Sequence, residues 1–504
     1  MKKKLIILLA LIIPGYLNGQ QNNSLDFSKI EHFIKEAIEK EETPSVAIAV
    51  AKDGMIIYQN AFGYADIENK IEANSSTAYQ LASITKPITA TAVMILNHQK
   101  IIDIYSQAEK YMDPLQFKAT ETNPSDVKII NLLNHTSGLG TYFQLNYADE
   151  PFEGDDFKTA FNKYGKLFYP VGRICEYSNL GYGLLDYIIS NQSGKSYAQF
   201  LQTEIFNPLG MNNSFVNNPD NPGLSVAKKY DKNLKLLPEI INNTTGAGNV
   251  YSSIQDLIKF GMFHLISQEN DILSPKEVDL MHNYIDPDVI YPYYDSTYYG
   301  LGWYFKNDDG YRIVWHEGGM MGASTMLKLI PDENIAIAVM LNTSNQAFSR
   351  AITDQLSSIV LPGYNPKPTN EIANYKQHTA DTSLYGTWKG TMSVEGLDIP
   401  CTLHINSDGT IMMEYLDYTY KSYFTNDNPI PNKSILLNGM INKNSFIGMY
   451  PGNLPSEDIR QEMSQFMSLK LFKDNNNMTG TIVALAAADR EYYAYPFYIK
   501  LEKQ

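Results

Sequence analysis

Cysteine is nearly absent from this chain. Cys175 and Cys401 are the only two among 504 residues. That is too few for a disulfide scaffold, and two residues so far apart do not establish a bridge, so free, largely buried thiols are expected. Basic charge is also short. Forty Lys and Arg stand against 55 Asp and Glu, a formal net charge of −15. Once the Lys-rich start is set aside no basic cluster remains, which excludes the electrostatic footprint of a nucleic-acid binder. Long apolar runs are missing after Ile13, so no later segment reaches the ~20 residues a membrane-crossing helix needs. The eight His residues are scattered and no His-Glu-x-x-His occurs, which argues against a zinc hydrolase. A Gly-x-Ser-x-Gly nucleophile elbow, a phosphate-binding glycine loop, internal repeats and low-complexity tracts are all lacking. No metal or cofactor is therefore expected, and a small-molecule or peptide substrate remains.

The one apolar run stands at the start. Lys2-Lys3-Lys4, the stretch Leu5 to Ile13 and small Gly19 read as a secretory signal over 1–19. With no Cys near the cleavage point, the mature protein is expected to be soluble and exported, in the periplasm or outside the cell. The length allows about three folding units of ~100–200 residues.

Residues 20–360 read as one body. Phe27, Ile30, Phe33, Ile34, Ala37 and Ile38 repeat at helical period within 25–41. Ser45 to Ala51 and Met55 to Gln59 read as strands joined at Asp53-Gly54, a hairpin turn. A helix is expected from Ser83 to about His98, with Pro87 tolerable only near its start. From about 105 to 240 the pattern is helices joined by turns, at Val127–Leu133, Leu180–Ile189 and Tyr197–Phe206. A helix Leu257–Ile266 follows behind the cap Ser253. Strands return at Gly302–Lys306, Tyr311–Trp315, Thr325–Ile330 and Ile335–Leu341, and Ala347–Val360 closes as a helix. The sheet is thus split in sequence around a helical insertion. This implies an α/β (α+β) fold, an antiparallel sheet flanked by helices, with a cleft between sheet body and insertion. Residues 361–382 carry Pro362, Pro366 and Pro368 and read as a linker. Residues 383–504 alternate in short segments at Thr402–Ile405, Thr410–Tyr415, Ile435–Ile441, Ser468–Phe472 and Tyr493–Leu501, with Asp408-Gly409 as a turn. This is an all-β, barrel-like unit.

Three motifs carry chemistry. Ser83 and Lys86 stand three apart at a helix start, so hydroxyl and amine share one face. A serine hydroxyl needs a base beside it, and a desolvated lysine can serve. Ser125/Lys128 and Ser225/Lys228 repeat the spacing and read as solvated polar pairs. Tyr177-Ser178-Asn179 precedes a helix. Tyr177 can share the proton of Ser83 if a neighbouring ammonium lowers its phenol pKa. Asn179 can donate to a substrate carbonyl and accept from Lys86. His316-Glu317-Gly318-Gly319 ends a strand, where glycines admit a substrate backbone. A backbone N–H there can oppose that of Ser83 as an oxyanion hole, with His316 supplying a donor or positive charge. His135, beside Thr136 and Ser137, reads as part of a helix-terminating turn.

The order Ser-x-x-Lys, Tyr-x-Asn, His-x-Gly resembles the serine β-lactamase and penicillin-binding-protein superfamily. It is most similar to the class C β-lactamase-like branch, which includes D-alanyl-D-alanine carboxypeptidases, D-aminopeptidases and esterases. Leu132-Leu133-Asn134-His135-Thr136-Ser137-Gly138-Leu139, Tyr177-Ser178-Asn179-Leu180-Gly181-Tyr182 and Pro208-Leu209-Gly210-Met211 extend the match over about 25–360. The resemblance implies Ser83 as acylated nucleophile, Lys86 as its proton partner, and Tyr177 as general base and leaving-group acid. It implies Asn179 and His316 as substrate contacts, with Gly318 and Gly319 shaping the site and the N–H groups of Ser83 and Gly319 holding the oxyanion. His316 replaces the Lys of authentic β-lactamases, which favours a peptidase or esterase. Gly386-Thr387-Trp388 resembles the opening of a lipocalin-like barrel. The implied function is an exported serine hydrolase of amides or esters; a β-lactamase, or a vestigial recognition protein of this fold, is the alternative.

Overall fold

The computed structural model describes residues 25–504 apart from 120–121, 151–153, 218–223, 266–271, 292–295, 367–381, 409, 416–432, 436–437, 443–444, 451–453, 455, 457, 459–465 and 489–490. The leader expected at 1–19 lies outside the described residues, as does most of the linker expected at 361–382. So do Gly409 of the expected turn, the end of the helix expected to reach Ile266 and the middle of the strand expected at Ile435–Ile441.

The body is built on the strand Ser45–Lys52. Strand side chains alternate, so Val46, Ile48 and Val50 point one way and Ala47, Ala49 and Ala51 the other. The larger set packs on Ile30 and Ile34 of the helix Ser28–Glu39 and on Ile352 and Leu356 of the helix Gln346–Val360. Each fully buried Ile or Leu there contributes about 1.5–3 kcal/mol. The alanines leave room for the helix Ile254–Phe263. That helix lies so close that a Cβ added at Gly261 would stand 3.1 Å from Leu327 and 3.2 Å from Ala336. The turn after the strand has φ of 52° at Asp53 and 75° at Gly54, the two positive values a two-residue hairpin of this hand requires.

Ser45–Lys52 pairs antiparallel with Met55–Asp66 on one side and Ile335–Leu341 on the other. Beyond Ile335–Leu341 come Ala323–Ile330, Tyr311–Met320 and Tyr304–Asp308 in turn. The early strands therefore join late ones, as the split pattern requires. The helix Thr85–His98 is buried at every position from Thr85 to Leu96, which places Lys86 in the interior.

The described strands within 386–503 form an antiparallel, curled half-barrel, with Trp388 buried and its Nε1–H donating to the Leu384 carbonyl at 2.8 Å. Its sheet does not stop at its own strands. Glu491–Lys503 pairs with Phe143–Tyr147 of the insertion, matching Tyr492 with Leu145, and Phe143–Tyr147 pairs in turn with Ile240–Asn242. The insertion was expected to be helices and turns. These two segments are strands because their pairing partner stands far along the chain, where local pattern cannot reach.

Cys175 and Cys401 are buried and are not joined in a disulfide. Among the described residues no helix is long and apolar enough to cross a membrane.

Candidate active site

The site starts from one strained residue. Ala82 takes φ of 48°, a left-handed conformation that costs a non-glycine residue about 1–2 kcal/mol. Its surroundings over-determine it. The Leu81 N–H donates to the Val250 carbonyl at 2.8 Å, and the Leu81 carbonyl accepts from the Thr325 hydroxyl at 2.7 Å. The turn delivers Ser83 at the head of the helix Thr85–His98, in a short 3-10 segment Ala82–Ile84. There the first backbone N–H groups have no partner within the helix. Ser83 itself is only half-buried, so a substrate can reach its hydroxyl.

Lys86 Nζ lies 3.2 Å from Ser83 Oγ and donates to the Ala247 carbonyl at 3.0 Å. The side chain has no exposed surface, and burial holds its pKa well below the ordinary 10.5. The amine is thereby disposed to be neutral, with its lone pair free for the Ser83 proton. Nζ also sits 4.7 Å from the Tyr177 ring centroid and 5.7 Å from that of Tyr182. The two decoy pairs differ at this point. Lys128 is exposed, and Lys228 forms an ion pair with Asp66 at 2.9 Å, so neither shares the enclosure of Lys86.

Tyr177 departs from expectation. Burial raises its phenol pKa, the Ser83 hydroxyl lowers it only in part, and the charge of Glu317 raises it further. The expected fall required an ammonium beside it, and the same burial that surrounds Tyr177 disfavours the ammonium form of Lys86. Burial of both groups favours a phenol and an amine over a phenolate and an ammonium.

Asn179 opens the helix Asn179–Ser193, capped by the Ser178 side chain. Its Nδ2 donates to the Tyr142 carbonyl at 3.0 Å, so the link from Asn179 to Lys86 is replaced by the Ala247 carbonyl on the lysine side. His316 lies on the strand Tyr311–Met320 and is buried. Its Nδ1 stands 2.7 Å from the Glu317 carbonyl, which can only accept, so Nδ1 carries the hydrogen and Nε2 accepts from the Tyr299 hydroxyl at 3.0 Å. Burial, and secondarily any charge on Lys86, pushes its pKa down to about 3. Of the donor or positive charge expected of His316, burial disfavours the charge, and both ring nitrogens already have partners.

The two glycines differ in what they permit. A Cβ added at Gly318 would fall 2.1 Å from the Leu81 carbonyl oxygen and 2.3 Å from Thr325 Oγ1, whereas at Gly319 the nearest atom would be Gln346 Oε1 at 3.5 Å. Gly318→Ala must push the strand away from the Ser83 turn, and should cost about 1–3 kcal/mol of stability together with activity. Gly319→Ala should leave the unfolding midpoint unchanged. Thermal unfolding of the two variants checks this contrast.

His135 was read only as a turn residue. It has the positive φ of such a turn, 61°, but its imidazole is buried. Nδ1 accepts the Ser178 N–H at 3.1 Å and the ring lies 4.4 Å from that of Tyr177. The one signal for this role was its chemistry, since a turn alone needs no imidazole. Tyr299 and the Ala247 carbonyl carried no signal in their own neighbourhoods. Among the described residues no group of three or more His, Cys, Asp or Glu is placed to hold a metal ion.

Known proteins are similar to this chain in sequence and fold. Penicillin-binding protein 4* of Bacillus subtilis (strain 168) is 27% identical over 371 residues, covering 68% of this chain and 78% of its own length. The octameric penicillin-binding protein homologue from Pyrococcus abyssi superposes with a TM-score of 0.58 at 22% identity, over 93% of this chain and 100% of the other. The β-lactamase/D-alanine carboxypeptidase from Yersinia pestis superposes with a TM-score of 0.55 at 21% identity, over 67% of this chain and 99% of the other. At these identities the two superpositions establish the fold. The family model described as Beta-lactamase matches residues 30–360, which holds the sheet body, the insertion and the three motifs, and the chain belongs to that family.

Proposed function

We propose that this protein is an exported serine hydrolase that cleaves amide or ester bonds through an acyl-enzyme on Ser83, acting on peptides of D-residue or cell-wall type or on small esters. The observation that carries the reading is the 3.2 Å approach of the Lys86 amine to the Ser83 hydroxyl inside a site whose burial disfavours the charged amine. Ser83 Oγ attacks the substrate carbonyl carbon as its proton passes to Lys86. The oxyanion forms against the backbone N–H groups of Ser83 and Gly319. As the scissile bond breaks, the leaving group takes the Tyr177 phenolic proton, and Lys86 returns one to Tyr177. Water then attacks the acyl ester and releases the acid, with its proton restoring Ser83.

Support for a D-residue peptide comes from the Bacillus relative, described as a penicillin-binding protein, and from the Yersinia structure, described as a β-lactamase and D-alanine carboxypeptidase. The neutral state of His316 favours a peptidase or esterase over a β-lactamase, because a neutral imidazole anchors a carboxylate more weakly than a cation does. Export rests on the character of residues 1–19 alone.

The test is the intact mass of the purified protein after incubation with a penicillin and, separately, with a fluorophosphonate, followed by peptide mapping. An adduct on the peptide that contains Ser83 is expected. A stable penicillin adduct would mark a penicillin-binding enzyme, and a fluorophosphonate adduct alone an esterase or peptidase. Labelling at another serine, or no adduct and no consumption of either reagent, would overturn the reading in favour of a recognition protein.

A further inference from the structure

The stretch Glu176-Tyr177-Ser178-Asn179 is held from two directions. From within the insertion, the Glu176 N–H donates to the His135 carbonyl at 2.8 Å and the Ser178 N–H to His135 Nδ1 at 3.1 Å. The second hold comes from the C-terminal sheet. Lys470 Nζ, on the strand Phe466–Asp474, donates to the two carboxylate oxygens of Glu176 at 2.8 and 2.9 Å, across 294 positions of sequence. The Glu176 side chain is 1% exposed and that of Lys470 27%. The Thr141 hydroxyl sits between the Glu176 carboxylate and the Tyr177 carbonyl and bonds to both. Lys470 is itself fixed, since the Tyr169 hydroxyl donates to its carbonyl at 3.2 Å and meets Thr481 Oγ1 at 2.7 Å. Asn179 is tied to the same sheet by another route. Its amide donates to the Tyr142 carbonyl, and Tyr142 leads directly into Phe143–Tyr147, which pairs with Glu491–Lys503.

We infer that Lys470 is a positioning residue for the acylation at Ser83, and that the C-terminal sheet is thereby a working part of the active site. The inference rests on the catalytic reading of Ser83, Lys86 and Tyr177 given above. A carboxylate this deeply buried is costly to leave without its ion-pair partner. Losing Lys470 favours a shift of the Glu176 segment toward water, and the next residue along that segment is Tyr177. A displacement of about 1 Å in a catalytic group costs roughly 10²-fold in rate. The pair acts through charge balance, so an Arg should substitute for Lys470 and a Met should not. Removing both charges together leaves nothing unpaired and should restore most of the function.

The test uses the full chain with 3-fluorotyrosine placed at position 177. The rate of fluorophosphonate labelling and the ¹⁹F resonance are compared for Lys470→Met, Lys470→Arg and the double variant Lys470→Met/Glu176→Gln. Lys470→Met should label about 10–100-fold more slowly and shift or broaden the resonance. Lys470→Arg and the double variant should lie within a few-fold of the parent with its resonance position. Labelling within twofold of the parent in Lys470→Met with an unmoved resonance overturns the inference, as does a double variant no better than the single one. If Lys470→Met does not fold, a folded double variant with near-parental labelling supports the charge pairing, and an unfolded one overturns it. A parent chain that is never labelled would sink the hydrolase reading alone, and the ¹⁹F comparison would still decide whether Lys470 holds Tyr177 in place.

Discussion

Replacing Ser83 by Ala is expected to lower turnover by on the order of 10⁴-fold or more while leaving the unfolding midpoint where it is. The hydroxyl is half-buried at a helix head, and its side-chain partners are Lys86 and Tyr177, so little packing is lost with it. The sharper half of the prediction concerns the repeats of the motif. Ser125→Ala and Ser225→Ala should leave turnover within about twofold of the parent, since a surface substitution of this kind touches no special feature. Ser125 bonds to Glu109 at 3.3 Å, and Ser225 lies 3.3 Å from the Thr77 hydroxyl; the lysine of neither copy is enclosed as Lys86 is. Steady-state turnover of an activated ester by the three folded variants checks the set. If either repeat proves as damaging as Ser83→Ala, the nucleophile has been misassigned.

The contrast among the three Ser-x-x-Lys copies explains how far the sequence could be read. Ser83 and Lys86 meet through the geometry of a single helix, so three-residue spacing was sufficient to bring them together on paper. Burial decides whether the meeting matters, and burial is a tertiary property. The spacing could not reveal that the helix Thr85–His98 is enclosed from Thr85 to Leu96. The same limit explains Tyr177. An ammonium neighbour was a fair expectation from the residue types, but enclosure makes Lys86 a poor ammonium and reverses the direction of the phenol's pKa.

Local turns were legible for the opposite reason. Asp53-Gly54 encodes its two positive φ values within itself, and Ser253 caps its helix three residues away, accepting from the Asp256 N–H at 3.3 Å. Phe143-Gln144-Leu145-Asn146-Tyr147 does alternate as a strand should. Its assignment still failed, because five residues stand in a helical neighbourhood and the partner strand Glu491–Lys503 lies at the other end of the chain. Lys470 and Glu176 belong to the same class. Nothing beside either residue marks it, and the pair exists only once the half-barrel has docked on the insertion.

Lys86→Met probes the proton acceptor and the charge state of the site in one substitution. Met matches the lysine stem in length and apolar character, so the enclosed helix should keep its packing. Turnover should nevertheless fall roughly 10²–10⁴-fold, the usual contribution of a positioned proton acceptor. The stability effect has a sign that follows from the depressed pKa. Below the ordinary lysine value of 10.5, the unfolded chain carries a proton on this amine that the folded chain sheds. The parent's stability therefore rises with pH, from the folded-state pKa of Lys86 up to 10.5. The Met variant has no proton to lose on folding. Its loss of the bond to the Ala247 carbonyl is a constant cost of about 1–3 kcal/mol, independent of pH. Relative to the parent, the variant should stand best below the folded-state pKa of Lys86 and give up ground as the pH rises from there toward 10.5. Denaturant unfolding of both proteins at a series of pH values measures this difference directly. Parallel stability curves would mean that Lys86 keeps its proton in the folded protein, and the proton acceptor for Ser83 would then have to be Tyr177.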